Sequence, residues 1–373
     1  MKKLKSGCSR LSVGEDSVVD VLGFDIGGAN TKAVLVHTQN GRLKDIKLDI
    51  EYFPIWKEPQ KLSNVLLKLK QRLGVERLDG LGVTMTAELS DAYQTKREGV
   101  YSVIAGVKES FPDTPIHVLN TDCELESTAK AELVPLGVAA ANWAATGWLV
   151  AQRIANCVIV DVGSTSTSII PVASGKVAAL GKTDLDKLIC GELVYTGGLR
   201  TNVAAIVQSI PVRGGVASVA SEMFALSADV HLILGHITEA QYTSETADGR
   251  GKTLREAYAR LARVVCADTD MLTNQEVFEM AKYIYLRQVL QVAQGLAKVY
   301  SYVKKQSKNE VSIVVTGLGK DFIARKAAEK IGAGSIFDLG TFLPKKVSMA
   351  TPAFAVALMT ATKIEGETIG WTQ

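Results

Sequence analysis

The sequence has few cysteines and histidines, and none of them is spaced like a metal ligand. Its four histidines form no H-E-x-x-H motif, and its cysteines form no C-x-x-C pair. These absences argue against a structural zinc site, and an odd number of scattered cysteines is typical of reduced thiols rather than a disulfide-stabilised miniprotein. Cys157 opens an apolar run and is predicted to be a small core residue. The five cysteines are Cys8, Cys123, Cys157, Cys190 and Cys266.

The sequence also lacks an excess of charge of either sign. It has 42 lysines and arginines against 39 acidic residues, which gives a net charge of +3. A nucleic-acid-binding domain or a polybasic membrane anchor carries a clear basic surplus. We therefore expect no nucleic-acid partner, and we expect anions to be bound by placed backbone donors and a metal ion.

Long hydrophobic runs are missing as well. Residues 1–17 are polar and lack the apolar region of a signal peptide. Residues 133–152 carry no charge, but they include Pro135, Gly137 and much alanine, whereas a membrane-spanning helix needs about 20 strongly apolar residues. We interpret this stretch as a buried helix of a soluble protein. No membrane partner and a cytoplasmic location are therefore expected.

Glycine, in contrast, is plentiful, and some of the glycines lie in a sequence pattern that occurs twice. Residues 18–37 (VVDVLGFDIGGANTKAVLVH) predict an apolar strand, a glycine turn and a second apolar strand. Residues 157–172 (CVIVDVGSTSTSIIPV) follow the same plan, and each copy runs into a hairpin turn, Asn40-Gly41 or Ser174-Gly175. The chain is therefore predicted to be internally duplicated. The alignment pairs Asp25 with Asp161, Gly27 with Gly163, Thr31 with Thr167 and Val36 with Val172.

The order of the remaining patterns predicts α/β architecture built twice. The predicted domains are residues 1–135 and 136–373, and the second contains an insertion at about 181–270 followed by a long helix at about 275–305. The other predicted elements are strands at 43–50, 81–86, 116–119, 176–180 and 312–316, and helices at 62–73, at 99–110, from Asp321 and from Thr351.

The two D-x-G turns predict a phosphate site with a divalent cation. Glycine after an acidic residue lets backbone amides approach an anion without an intervening Cβ. Asp25 and Asp161 are predicted to hold Mg²⁺ against phosphate oxygens, mostly through water. The alternative is an ordinary hairpin with glycine for geometry, and the duplication favours phosphate binding. The predicted phosphate-contacting residues of the two turns are Gly27, Gly28, Asn30, Thr31, Gly163, Ser164, Thr165 and Ser166.

A third glycine turn, Gly317-Leu318-Gly319, follows a predicted strand and opens a predicted helix. The start of a helix suits an anion, so Gly317 and Gly319 join the predicted phosphate-binding residues. The combination resembles the actin-like ATPase and sugar-kinase superfold, in which two RNase-H-like domains enclose a central cleft. That resemblance covers nearly the whole chain and makes ATP or ADP a candidate cofactor. It does not fix the function, because the superfold serves kinases, chaperones, filaments and hydrolases.

Several longer strings carry a finer resemblance. Together they are similar to the hydantoinase/oxoprolinase-related family linked to tetrahydromethanopterin one-carbon metabolism, whose characterised activity is the furan–tyramine condensation of methanofuran biosynthesis. These strings are much more specific than the D-x-G turns. They are GFDIGGANTKA at 23–33, GVTMTAELSDAYQTKREGV at 82–100, NTDCE at 120–124, AAANWAATGW at 139–148, VDVGSTSTSIIP at 160–171 and GELVYTGGLRTNV at 191–203.

The family resemblance implies a transferase. Its small-molecule partners would be 5-(aminomethyl)-3-furanmethanol diphosphate and γ-glutamyltyramine, and the products would be an aryl ether and pyrophosphate. The phenol, with an ordinary pKa near ~10, must lose a proton. Asp122 is the predicted base because it follows a strand end where related sugar kinases have their catalytic aspartate, and Glu124 is second. The alternative for both is capping of a helix that begins near Leu125.

Within the same strings, four cationic residues are the predicted diphosphate contacts and two aromatic residues could stack on a substrate ring. A solvated surface position is the alternative for the cations, and core packing is the alternative for the aromatics. No sequence motif indicates the oligomeric state, and a homodimer is one candidate. The cations are Lys32, Lys96, Arg97 and Arg200, and the aromatics are Tyr195 and Trp143.

Three other functions fit the same motifs. An ATP-dependent small-molecule kinase would use the D-x-G pair and Asp122 equally well. An amide hydrolase of the hydantoinase or oxoprolinase type belongs to the same resemblance, although such enzymes are generally longer. A non-catalytic nucleotide-binding switch would need only the D-x-G turns and no catalytic base.

Overall fold

The computed structural model describes residues 18–307, 309–344 and 347–371. The polar segment 1–17, with Cys8, lies outside the described residues. Across the described residues, no helix combines the length and the apolar character that crossing a membrane requires. The uncharged stretch at 133–152 contains a short helix whose residues are mostly buried, which confirms that a buried helix lies there.

Strands and helices alternate along the chain. The strands are β1 (Val19–Ile26), β2 (Asn30–Gln39), β3 (Arg42–Tyr52), β4 (Gly80–Met85), β5 (Ile116–Leu119), β6 (Leu125–Ser127), β7 (Cys157–Val162), β8 (Thr167–Ala173), β9 (Lys176–Val177), β10 (Leu193–Val194), β11 (Ser209–Val212), β12 (Gly215–Ser218), β13 (Ser312–Gly317) and β14 (Ile336–Asp338). The helices are α1 (Leu62–Leu73), α2 (Lys96–Ser110), α3 (Thr128–Leu133), α4 (Asn142–Ala151), α5 (Asp184–Cys190), α6 (Val203–Ile206), α7 (Ser227–Ile233), α8 (Leu254–Arg263), α9 (Asn274–Gln306), α10 (Arg325–Lys330) and α11 (Thr351–Glu365).

The chain divides into two compact units, and unit 1 comprises residues up to Ala145 together with the segment from Ala350 onward. Its sheet has the order β3-β2-β1-β4-β5-β6. The first three strands are antiparallel, and β1, β4 and β5 are parallel. Every residue of β4 is buried, as expected for a parallel strand that is covered on both faces.

Unit 2, Thr146–Met349, repeats this plan. Its sheet has the order β10-β8-β7-β13-β14, and β9 also pairs with β8. Strands β7, β8 and β9 are antiparallel, while β7, β13 and β14 are parallel. Both sheets therefore contain the strand order 3-2-1-4-5 of an RNase-H-like domain. This confirms the predicted α/β superfold and its internal duplication.

The paired hairpins match residue for residue. Ile26 pairs with Thr31 at the end of the β1–β2 hairpin, and Val162 pairs with Thr167 at the end of the β7–β8 hairpin. The far turns match as well, because both residues of the Asn40-Gly41 and Ser174-Gly175 turns have positive φ. Two consecutive residues of positive φ are typical of a type I′ hairpin turn, as the sequence predicted.

Helix α11 packs on the sheet of unit 1. A Cβ added to Gly82 would lie 2.6 Å from the Val356 carbonyl oxygen, and one added to Gly23 would lie 2.8 Å from the Ala357 Cβ. The helix reaches the sheet this closely because glycines of β1 and β4 leave room for its alanine-rich face. The sequence-based division had grouped this helix with the second domain.

The predicted insertion contains short elements between β10 and α9, and they have their own core. Arg260 of α8 is fully buried beside Asp229 of α7, with Nη2 2.8 Å from Oδ1, and Tyr242 donates to the same oxygen at 3.2 Å.

The predicted long helix is α9, which is 33 residues long. The helix expected from Asp321 begins instead as a π-helical turn, Lys320–Ala324, before α10.

Candidate functional site

The first D-x-G turn (residues 25–30) follows β1 at the carboxyl end of the parallel strands. The Gly27 amide donates to the Asn30 carbonyl at 3.0 Å, and the carbonyls of Gly28 and Ala29 accept from the amides of Ile55 and Phe53. The turn carbonyls are thus directed into the protein. Among the described residues, none accepts from the amides of Gly28 and Ala29, which are therefore available to an anion.

Asp25 lies beneath this turn, in register with Lys32 on β2 and Thr84 on β4. Its side chain is only 5% exposed; Oδ2 lies 3.4 Å from the Lys32 ammonium, and Oδ1 has no hydrogen-bond partner among the described residues. The Thr84 hydroxyl, also fully buried, likewise has none among them. Buried polar atoms normally have partners, so these two oxygens are candidate ligands for a further group.

The donors around Asp25 fit Mg²⁺ better than a transition metal. Within the described part of the chain, no three His, Cys, Asp or Glu side chains come together as a metal cage. Mg²⁺ is commonly held by one or two carboxylates, water and substrate phosphates rather than by an all-protein cage. A single buried carboxylate oxygen beside free backbone amides meets that description.

The second D-x-G turn (residues 161–166) has the same internal bond, from the Gly163 amide to the Ser166 carbonyl at 3.0 Å. Here a further segment, residues 195–201, packs on the turn, and we call it the glycine loop. The Gly198 amide donates to the Gly163 carbonyl, and the Leu199 and Arg200 amides both donate to the Ser164 carbonyl, each at 2.9 Å. The structure thus brings Arg200 to the second turn, where its Nη1 lies 3.5 Å from the Thr165 hydroxyl.

The third glycine turn joins the same group of unit 2. Gly317 has a φ of +85°, and a Cβ there would lie 2.5 Å from Asp161 Oδ1. The Gly319 amide donates to the Val162 carbonyl at 3.0 Å. Gly317 and Gly319 therefore allow the end of β13 to lie against Asp161. Lys320, which comes next, is paired with Asp338.

The predicted base and its alternate lie in an exposed turn between β5 and β6. The amides of Asp122 and Glu124 both donate to the Asn120 side-chain oxygen at 2.9 Å. The helix-capping alternative is wrong, because β6 intervenes and Ser127 caps α3 by accepting from the Lys130 amide. The role of Asp122 or Glu124 as a base stays a prediction.

The turn after β4 contains a buried acid that sequence reasoning missed. Glu88 is 1% exposed, and its carboxylate lies 3.9 Å from the Lys96 ammonium at the start of α2. A Cβ on Gly99 would lie 2.5 Å from the Glu88 carbonyl oxygen, so the glycine lets α2 pack against this turn. The only sequence signal was an acid inside the string at 82–100 that also contains Lys96.

The remaining predicted contacts differ in exposure. Lys32 lies beside Asp25, as described, whereas Arg97 is exposed on the first turn of α2. Tyr195 is 56% exposed in the glycine loop, where a substrate ring could reach it. Trp143 is 5% exposed and packs in the interior, which fits the core-packing alternative for this residue.

A buried ion pair supports the segment that leads to the glycine loop. Lys187 Nζ lies 2.9 Å from Glu192 Oε2, and the carboxylate also accepts from the amides of Leu180 and Gly181. Burial lowers the pKa of Lys187, and the Glu192 carboxylate partly offsets that effect. Cys157 is fully buried, which confirms it as a core residue, and this burial raises the pKa of its thiol to about 12.

The chain has clear relatives among known proteins. Residues 79–363 match the hydantoinase/oxoprolinase family. Over 346 residues the chain is 36% identical to the (4-{4-[2-(gamma-L-glutamylamino)ethyl]phenoxymethyl}furan-2-yl)methanamine synthase of Methanocaldococcus jannaschii, which covers 92% of this chain and 98% of that protein. It is 34% identical over 214 residues to the synthase of the same name from Methanococcus vannielii, covering 57% of this chain and 94% of that protein.

A solved structure supports the fold. The nucleotide-free structure of acetone carboxylase superimposes with a TM-score of 0.54 over 92% of this chain and 70% of that chain, at 11% identity. Identity this low shows a shared fold and says nothing about the reaction. The specific relationship rests on the sequence matches.

Proposed function

The chain belongs to the hydantoinase/oxoprolinase family, and from that premise we propose that it is the transferase that joins 5-(aminomethyl)-3-furanmethanol diphosphate to γ-glutamyltyramine. The observation that carries the proposal is the 36% identity to the synthase of M. jannaschii, which extends over 98% of that protein.

The two D-x-G turns support the proposal chemically. In the reaction, the phenol oxygen forms a bond to the furfuryl carbon, and the bond from that carbon to the diphosphate oxygen breaks. Pyrophosphate leaves with the bonding electron pair, so negative charge develops on it. Backbone amides that are already placed, such as those of Gly28 and Ala29, stabilise such charge without reorganising during the step.

Mg²⁺, when bound, would offset part of the same charge as a Lewis acid. The candidate carboxylates are Asp25 at the first D-x-G turn and Asp161 at the second, because each lies near the end of the strand that leads into its turn. Lys32 beside Asp25 would add positive charge at the first turn, and Arg200 beside Thr165 would do so at the second. In this proposal, phosphate sites typical of an ATP-binding superfold accept the substrate's own diphosphate, and ATP or ADP is not consumed.

The phenol proton must go to a base. We propose Asp122, whose turn is fixed by the Asn120 side chain at the carboxyl end of β5, with Glu124 as the alternate. A carboxylate within hydrogen-bonding reach of a phenol can accept its proton as the new bond forms. The electron-rich furan would stabilise positive charge at the reacting carbon. Because such a carbon is a stronger electrophile, a weaker nucleophile than a full phenolate would be sufficient.

One assay tests this function against its rivals. The purified full chain is incubated with Mg²⁺ in three separate reactions: with ATP alone, with furanmethanol diphosphate plus γ-glutamyltyramine, and with all three compounds. ADP, phosphate, pyrophosphate and ether are measured in each. We expect equal amounts of pyrophosphate and ether, with no requirement for ATP. Ether formation that depends strictly on ATP would contradict the proposal. Conversion of ATP to ADP, without any ether, would instead indicate an ATP-consuming enzyme such as a kinase or an amide hydrolase.

Two matched variants test the base. Asp122→Asn keeps the size of the side chain and removes the proton acceptor, so we expect a roughly 10²- to 10⁴-fold loss of turnover with pyrophosphate affinity retained. Glu124→Gln is the control at the other end of the same turn. If Asp122→Asn retains full turnover, the base role of Asp122 is excluded, and a loss confined to Glu124→Gln would reassign it.

The same resemblance suggests the physiological setting. We propose that the enzyme acts in methanofuran biosynthesis, in support of tetrahydromethanopterin-linked one-carbon metabolism, and that it works in the cytoplasm. Deletion of its gene should abolish cellular methanofuran, and a plasmid copy should restore it. Normal methanofuran levels in the deletion strain would contradict this setting while leaving the reaction in vitro to be judged separately.

A further inference from the structure

Gln288 is a polar exception on the buried face of the long helix α9. It is fully buried, whereas its buried neighbours on the helix are apolar. A primary amide in such surroundings is costly unless its hydrogen bonds are made. Its partners therefore explain why an amide is found there. The other buried residues of the helix are Val277, Met280, Ala281, Ile284, Val289, Val292, Ala293, Gly295, Leu296, Val299 and Val303.

Every hydrogen-bonding atom of the Gln288 amide faces a partner. Nε2 donates to the Thr196 hydroxyl at 2.8 Å and to the Gly197 carbonyl at 2.9 Å, both in the glycine loop. Oε1 lies 3.0 Å from His231 Nε2 and must accept from it. His231 then has its lone pair on Nδ1, which lies 3.0 Å from His236 Nδ1. The orientation of the Gln288 amide is thus fixed from both sides.

The two loop residues that Gln288 contacts set the position of the second D-x-G turn. A Cβ on Gly197 would lie 2.6 Å from the Thr165 amide nitrogen, so loop and turn are in direct contact. The next two amides of the loop, Gly198 and Leu199, donate to the carbonyls of Gly163 and Ser164. A shift of Gly197 must therefore move either the turn or these hydrogen bonds.

We propose that Gln288 is a positioning residue for the diphosphate, which holds the glycine loop so that the second turn and Arg200 present their donors in one fixed arrangement. The inference rests on the proposed function for the nature of the anion. Its structural part, the hold of Gln288 on residues 196–200, does not depend on that function. Gln288 touches no substrate in this arrangement and acts only through the loop.

The chain supplies a matched control on the same helix. Gln291 Nε2 donates to the Ile206 carbonyl at 3.2 Å and makes no bond to the glycine loop. The test compares Gln288→Met with Gln291→Met, because each change removes an amide from α9 and keeps a long side chain that favours helix. Thr196→Val is a third variant, which removes the hydroxyl that accepts from Gln288 but leaves α9 intact.

Two measurements are made on each full-length variant: hydrogen exchange of the peptide that covers residues 196–201, and steady-state kinetics with furanmethanol diphosphate. For Gln288→Met and Thr196→Val we expect faster exchange at residues 198–200. We also expect an increase of about tenfold in KM for the diphosphate, the equivalent of one lost net hydrogen bond, with kcat changed less than about twofold. Gln291→Met should change neither quantity.

The outcomes separate the inference from the proposed function. If the exchange at residues 198–200 is the same in Gln288→Met, Thr196→Val and Gln291→Met, the positioning role is overturned. Faster exchange with an unchanged KM would also overturn it, since the loop would move without consequence for the anion. If the wild-type protein releases no pyrophosphate, the proposed function fails, and the exchange comparison together with calorimetric binding of magnesium pyrophosphate still decides the role of Gln288. Should Gln288→Met not fold, Thr196→Val alone gives the same decision.

Discussion

The Lys187 ammonium lies 2.9 Å from the Glu192 carboxylate, and both side chains are at least 96% buried. The same carboxylate accepts from the Leu180 and Gly181 amides, while the Glu192 carbonyl accepts from the Ile169 amide of β8 at 2.8 Å. The ion pair therefore links α5 to residues 180–181, and the backbone carbonyl of Glu192 links the same region to β8. Removing one charge of a buried pair leaves the other without compensation.

Lys187→Met should destabilise the protein by about 3 kcal/mol, because Glu192 would stay buried without its counter-charge. Glu192→Gln should also be destabilising, although its side-chain oxygen can still accept from the Leu180 amide. In the double variant no unpaired charge remains, so its loss should be smaller than the sum of the single losses. Guanidinium unfolding of the wild type and the three variants measures this coupling, and strictly additive losses would contradict it.

The free energy of unfolding should decrease as the pH is lowered, because of His231. Burial, with a smaller effect of His236, lowers the pKa of His231 to about 3, compared with about 6.5 in the unfolded chain. The unfolded state therefore binds more protons between pH 6.5 and 3, so this histidine's contribution is complete above pH 6.5 and is lost as the pH falls below that value. The maximal slope is about 1.4 kcal/mol per pH unit.

His231→Asn removes that titration, so the difference in unfolding free energy between the wild type and the variant should shrink from pH 7 to pH 5. Urea unfolding at several pH values measures it, and the comparison cancels the carboxylates that titrate in both proteins. A difference that is constant with pH would mean that His231 is not kept neutral in the folded state.

Much of the fold could be predicted from the sequence because its signals are local. The Asn40-Gly41 turn and alternating strands define the β1–β2 hairpin, and Gly74 in the left-handed conformation ends α1 where the leucine pattern stops. The internal duplication of the chain could be predicted by comparing two such local patterns. The packing of α11 on β1 and β4 could not be predicted from the sequence. The need for glycine at positions 23 and 82 is visible only when the helix is in place against them.

The candidate site was predicted in part for the same reason. Its turns are continuous in sequence, so Gly27 and Gly163 stood out. Thr84 and Glu88 did not, because their place beside Asp25 or beneath α2 depends on the register of a parallel strand and on the packing of a helix. Gln288 was hidden in an apolar helix, where a single polar residue carries no motif.

Asp25→Asn should separate metal binding from folding. The variant keeps the shape of the side chain but loses the charge, and one carboxylate oxygen has no partner among the described residues to lose. If Asp25 holds Mg²⁺ through water, we expect a roughly 10- to 100-fold higher Mg²⁺ requirement for pyrophosphate release. The melting temperature without Mg²⁺ should change little, because Lys32, which loses its partner, is 30% exposed and can be solvated.

The measurement is a Mg²⁺ titration of turnover, accompanied by thermal unfolding with and without the metal. Lys32→Met serves as the comparison, because it removes the neighbouring charge without removing an oxygen ligand. An unchanged Mg²⁺ requirement together with a large fall in melting temperature would make Asp25 a structural residue.

Two glycines of unit 1 should respond to alanine in opposite ways. A Cβ on Gly28 meets no atom of the described residues within 4 Å, and the backbone there does not need a positive φ. Gly28→Ala should therefore fold normally, with a change in unfolding free energy within about 0.5 kcal/mol. The new methyl group would stand beside the amides that we assign to the diphosphate, so KM for the diphosphate should rise roughly tenfold.

Gly23→Ala gives the reverse pattern. Its Cβ would be forced against Ala357 of α11, so the helix must move away from the sheet, and overpacking of this kind costs about 1–3 kcal/mol. Guanidinium unfolding and steady-state kinetics on both variants therefore yield a crossed result, with stability lost in one and diphosphate affinity in the other. If Gly28→Ala leaves KM unchanged, the assignment of the Gly28 and Ala29 amides to the diphosphate is contradicted.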